Sequence, residues 1–142
     1  MKIYNERMNT MMAFAGTAFT WLFGAWDLAL AALITAMALD YITGVTRSVI
    51  NGHGVSSEKG FKGFLKKITI LYMVILAVLI DRLIGQGWVF RSLVCFWYVA
   101  NEGISILENV ASLGLPVPDQ LVNILEQLKQ GNKKEKMIKE EK

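Results

Sequence analysis

The chain alternates between long apolar stretches and short polar breaks. No charge falls between Met8 and Trp26, Asp40 alone interrupts Leu28 to Thr46, and Ile68 to Ile80 carries none. A soluble helix of such length needs a wet face, which these segments do not provide. A bilayer core of about 30 Å takes about 20 helical residues, so the pattern predicts an all-α membrane protein. Residues 28–50 form one core span, with Asp27 placed to cap its first turn. Residues 65–84 form the second, and residues 89–113 the third, stopped by Gly114 and the "LPVP" that follows. The glycine-bearing "GQGW" between them reads as a tight turn. Beyond Pro118, the spacing of Leu121, Ile124, Leu125 and Leu128 predicts a short amphipathic helix over 119–129. The expectation is a single integral-membrane domain, 1–128, followed by a charged cytoplasmic tail, 129–142.

The first segment, 8–26, fits two placements. It measures about 28 Å as a helix at about 1.5 Å per residue, enough to cross. Gly16, Thr20 and Gly24 form a stripe of small residues at spacing four, the kind that lets membrane helices approach closely. A very short link to the next helix equally suits a helix lying in the interface, although such helices usually carry Lys or Arg on the wet face. No small-residue cleavage site follows it, so the segment is expected to be retained. Met1, Met8, Met11 and Met12 all offer starts, and initiation at Met8 or later would remove Lys2 and Arg7.

Basic residues orient the spans. Five Lys/Arg and one acid lie from Arg47 to Lys67, and the tail from Lys129 carries six Lys and three Glu. Both belong in the cytoplasm by the positive-inside rule, which puts the turn at 85–88 outside. Ser56 or Ser57 offers a cap for the helix entering the membrane, with Lys59, Lys62, Lys66 and Lys67 expected at the lipid headgroups, although a plain cytoplasmic loop would look the same.

Composition narrows the chemistry. Hydrophobic residues make up 54% of the 142 and charged residues 19%, against roughly a quarter charged in a soluble domain. A single Cys95 excludes an intrachain disulfide and a cysteine-based metal cluster; it reads as a small buried or lipid-facing hydrophobe. His53 stands alone in a loop. No triad, paired histidines or phosphate-binding glycine loop is present, so no enzyme activity, cofactor or metal is expected. The net charge of +3 fits membrane anchoring and gives no reason to invoke nucleic acid.

The third span raises a question. Its "WYVANEGISILEN", residues 97–109, sets carboxylates and amides among apolar residues. Glu102, Ser105, Glu108/Asn109 and Ser112 recur at three-to-four spacing. A carboxylate at the bilayer centre costs about 2.5–3.5 kcal/mol on insertion scales and seldom faces lipid. Three readings fit: the carboxylates face water in a pore built by several copies, they pair with Arg or Lys inside the bundle, or the helix ends near Asn101 and leaves them at the surface. In the second span, Asp40, Thr43, Gly44 and Arg47 share a face. Asp40 there either fixes the helix register or belongs to an assembly or gate. The pore or assembly candidates are thus Asp40, Arg47, Glu102, Ser105, Glu108 and Asn109; the helix-packing candidates are Gly16, Thr20, Gly24 and Gly44.

"WLFGAWD" (21–27), "LDYITGV" (39–45), "SSEKGFKGFLKKI" (56–68) and "ANEGISILENVASLGLPVP" (100–118), in that order, resemble the phage holins of the toxin-secretion/phage-lysis type. The resemblance runs from Trp21 to about Leu128; the Lys/Glu tail departs from it. It implies a multi-pass protein of the bacterial host's cytoplasmic membrane that forms homo-oligomers and opens lesions. An endolysin, or in some clostridial relatives a large toxin, then passes through. It implies no catalytic residues. The rival expectation is a small ion channel or transporter subunit of the same membrane.

Overall fold

The computed structural model describes residues 1–127 except 53, 55 and 86. Four long helices are present: α1 (Lys2–Phe23), α2 (Leu28–Ile50), α3 (Ser57–Ile84) and α4 (Val89–Ser112). A shorter fifth, α5, covers 119–127. The tail expected at 129–142, and the loop position of His53, lie outside the described residues.

Each boundary has a local cause. Asp27 caps α2 by accepting from the Leu30 N–H at 3.0 Å, one of the donors a helix start leaves unpaired. α1 begins six residues before the expected Met8, because Lys2 to Arg7 contain no helix breaker. It ends at Gly24, whose φ of 77° closes the helix, rather than at Trp26. α3 begins at Ser57, eight residues before the expected span boundary at Leu65, and runs through Gly60 and Gly63. Glu58 stands in its first turn, where a negative charge suits the helix dipole, and Lys62 pairs with it at 2.7 Å one turn on. α4 closes at Leu113, and Gly114 follows with φ 81°.

Two helices, α2 and α3, are long and apolar enough to cross a membrane by length and composition. The expected third core span, α4, has the length at 24 residues; Arg91, Glu102 and Glu108 are its three charges, spread from its start to near its end. Yet α4 is the centre of the bundle. It packs along both α2 and α3, which touch each other little. Leu30, Leu33 and Met37 of α2, Ile70 and Val74 of α3, and Cys95 of α4 form the core. Cys95 is thus fully buried. α4 sits inside because its buried polar groups, Arg91, Glu102 and Asn109, find partners there and not in lipid.

α1 is largely exposed and meets α3, where Arg82 lies 5.2 Å from the Trp21 ring centroid. Its threonines are satisfied internally: Thr10, Thr17 and Thr20 each donate to the carbonyl four residues back, at 2.8–2.9 Å, so no hydroxyl is left bare in an apolar setting. The small-residue stripe does not pack as a unit. A Cβ added at Gly16 meets nothing within 4 Å, whereas one at Gly24 would lie 3.0 Å from the Trp88 ring and 3.1 Å from Arg91 Nε. α5 folds back onto α4, with Leu125 against the bare backbone of Gly103.

Candidate functional site

Polar side chains gather at two levels of the bundle. The first lies where α1 turns into α2 and α3 turns into α4. Arg91, the third residue of α4, is 0% exposed. Its Nε donates to the Phe23 carbonyl at 2.6 Å, and one Nη2 hydrogen goes to the Ala25 carbonyl at 2.7 Å. The fork closes on Asp27, with Nη1 to Oδ2 at 2.6 Å and Nη2 to Oδ1 at 3.2 Å. Bidentate pairing of this kind suits the planar guanidinium. The Arg91 hydrogen bond holds the Asp27 carboxyl below the usual aspartate range; partial burial opposes it and the Leu30 N–H reinforces it. The buried Asp81 completes this level from α3, accepting from the Phe90 and Arg91 N–H groups at 2.9 and 2.8 Å. Trp88, the residue at the start of α4, offers no side-chain cap, so Asp81 caps that helix from across the hairpin.

The second level lies eleven residues along α4 from Arg91, about 16 Å away at about 1.5 Å per residue. Lys67 of α3 donates to Asp40 Oδ2 of α2 at 2.5 Å and to Glu102 Oε2 of α4. All three side chains are largely buried. Asn109, two turns further along α4, donates to Asp40 Oδ1 at 3.4 Å and to Thr43 Oγ1 at 3.2 Å. Its own oxygen accepts from Arg47 Nη1 at 3.3 Å. Both carboxylates therefore meet one ammonium directly, and Asp40 also reaches one guanidinium through the Asn109 amide. Ser105 lines the same hollow. The heptad spacing of Cys95, Glu102 and Asn109 puts them on one buried face, and no buried side-chain N or O lacks a partner among the described residues.

The expected residues divide accordingly. Asp40, Arg47, Glu102, Ser105 and Asn109 come together; Glu108, one position from Asn109, turns outward and is exposed. α4 does not end near Asn101 but continues to Ser112. Gly44 lies beside the cluster, where an added Cβ would stand 3.6 Å from Asn109 Nδ2. Lys59, Lys62 and Lys66 are exposed. Lys67 corrects the expected headgroup set: its ammonium points inward, because two carboxylates in apolar surroundings draw the nearest cation. The first level was not foreseen as a site. Its signal was the placement of Asp27, Asp81 and Arg91 at helix ends that a hairpin fold brings to one side. Among the described residues, no three His, Cys, Asp or Glu side chains gather into a metal-holding group.

Two helices apolar and long enough to cross a membrane, packed with α4 around paired polar side chains, fit a helical membrane protein. The chain belongs to the bacteriophage holin family, whose profile matches residues 17–130. An uncharacterised 14.9 kDa protein of Clostridium perfringens, from the nagH 3′ region, is 48% identical over 120 residues, 84% of this chain and 89% of its own length. A Listeria innocua protein is 44% identical over 110 residues, 78% of each chain. Bacillus subtilis YtkC is 29% identical over 120 residues, 84% of this chain and 89% of its own. No solved structure matches the chain.

Proposed function

We propose that this protein is a holin that assembles with copies of itself in the bacterial cytoplasmic membrane and opens lesions through which an endolysin reaches the cell wall, timing lysis without catalysing a reaction. Family membership supports the class. The observation that carries the mechanism is the Asp40–Lys67–Glu102 cluster with Asn109, four polar side chains held between helices otherwise fit for lipid. Isolated, each would be costly at this depth; paired, they let the monomer sit in the bilayer without leakage. When copies associate, the same side chains become the wettable lining of a lesion as α4 separates from α2 or α3. The resting pairs thus delay opening, and water replaces them once enough copies surround the gap. In this reading residues 1–128 act as one membrane domain, α2, α3 and α4 cross the bilayer, and the C-terminus is cytoplasmic.

The test is inducible expression in a bacterium with a co-expressed cytoplasmic endolysin, following membrane potential and enzyme release. Abrupt depolarisation after a delay, with the enzyme released, is the expected result. Depolarisation with the enzyme retained would instead identify a small channel, and an inserted protein that leaves the potential unchanged would return the reading to a transporter subunit.

A further inference from the structure

A cleft of about 570 Å³ opens beside the second polar level, between the C-terminal half of α2 and the first turns of α3. Its volume lies within the roughly 300–1,000 Å³ of small-ligand sites. The facing surfaces run Asp40, Gly44, Arg47 and Ser48 on α2 and Lys59, Gly63, Lys66 and Lys67 on α3. Glycines on both walls make the hollow. In particular, a Cβ built at Gly63 meets nothing within 4 Å. Four cations and two carboxylates line it, an excess of two positive charges. Both carboxylates are engaged by Lys67. Arg47, Lys59 and Lys66 have no carboxylate within 4 Å among the described residues. A second hollow of about 280 Å³ continues past Arg47 and Lys59 toward Asn51.

The length of α3 places this cleft against the bilayer. Its 28 residues extend about 42 Å at about 1.5 Å per residue, about 12 Å more than a hydrocarbon core of about 30 Å. The uncharged run of α3 spans Ile68 to Ile80, and the lysine-bearing segment from Ser57 to Lys67 extends past one end of it. The mouth of the cleft therefore stands at headgroup level.

We infer that the cleft is a binding site for the phosphate of an anionic phospholipid, held by Lys59, Lys66 and Arg47, with the missing side chain of Gly63 providing the room. This is a discrete site and differs from diffuse attraction to a basic loop. Lys62 lies on the same helix at the same level, yet it points out of the cleft and is paired with Glu58. The inference requires insertion in a bilayer and is independent of lesion formation.

Native mass spectrometry of the full chain in neutral detergent, titrated with phosphatidylglycerol, phosphatidylcholine or inorganic phosphate, tests it. One saturable phosphatidylglycerol adduct is expected, with phosphatidylcholine weaker by at least tenfold. Lys59→Gln and Lys66→Gln should each weaken that adduct about fivefold, the effect of removing one charge at a membrane surface, while Lys62→Gln leaves it unchanged. Gly63→Leu should remove the adduct without unfolding the chain, since it fills open space and favours the helix. Full binding by Gly63→Leu, or equal losses from Lys62→Gln and Lys66→Gln, would overturn the site. Displacement of the lipid by inorganic phosphate at the same concentration would overturn its assignment to a lipid.

Discussion

Arg91 illustrates how much one side chain can organise. Four of its five N–H donors are used, and they reach the end of α1, the elbow to α2 and the cap of α2 at once. Lysine has the charge but no fork, so Arg91→Lys should destabilise the protein by about 2–4 kcal/mol, read as thermal unfolding in micelles. Asp27→Asn keeps a competent helix cap but strands a buried guanidinium. Its cost should be smaller, about 1–3 kcal/mol, because the Asp27 side chain is 41% exposed and water screens the pair. The same pair gives a pH dependence. The Asp27 carboxyl titrates below its ordinary value in the folded chain, so its contribution is fully present above the unfolded value, near pH 4. It is lost as pH falls through the lower folded value. Unfolding temperature should therefore drop on acidification below about pH 4 by more in the parent than in Asp27→Asn; equal drops would remove Asp27 from the account.

At the scale of elements, α4 is held by side chains from its neighbours. Lys67→Met should be among the most damaging single changes, leaving Asp40 and Glu102 facing each other without a cation. Breaking a buried pair in this way costs about 3–5 kcal/mol, and the expected sign is loss of membrane-inserted, protease-resistant protein. Adding Asp40→Asn and Glu102→Gln removes the stranded charges and should restore most of that loss. The restored triple variant also separates folding from function. With the ionic lining gone, it should insert but lyse late or not at all; lysis at the parent's time would exclude the cluster from lesion opening.

For the whole molecule, the α1–α2 elbow at 24–27 and the start of α4 share one end, because Arg91 reaches Phe23, Ala25 and Asp27. The end of α2, the start of α3 and the end of α4 occupy the other. In a Cys95→Ser background, Gly87→Cys should react with a membrane-impermeant thiol reagent in intact cells, and Asn51→Cys only after permeabilisation. The reverse pattern would invert the proposed orientation.

The sequence by itself determined the number and order of the helices. Unbroken apolar runs, an aspartate before the second, and Gly114 with two prolines after the fourth are local signals, and local physics acts on them directly. It also placed Glu102 and Asn109 on one helical face, because a three-to-four spacing is a property of the helix alone. It offered Ser56 or Ser57 as a cap yet bounded the second core span at Leu65, because Gly60 and Gly63 looked like loop where the Glu58–Lys62 pair supports a helix. Only the tertiary structure decided which charges meet. Lys67 sits in a run of lysines suited to headgroups, and Asp27, Asp81 and Arg91 are far apart in the chain. Nothing local distinguishes a cation that points to water from one that points inward. That choice depends on which carboxylates the neighbouring helices bring within reach once apolar packing has fixed their positions, and on the cost of leaving any of them unpaired there.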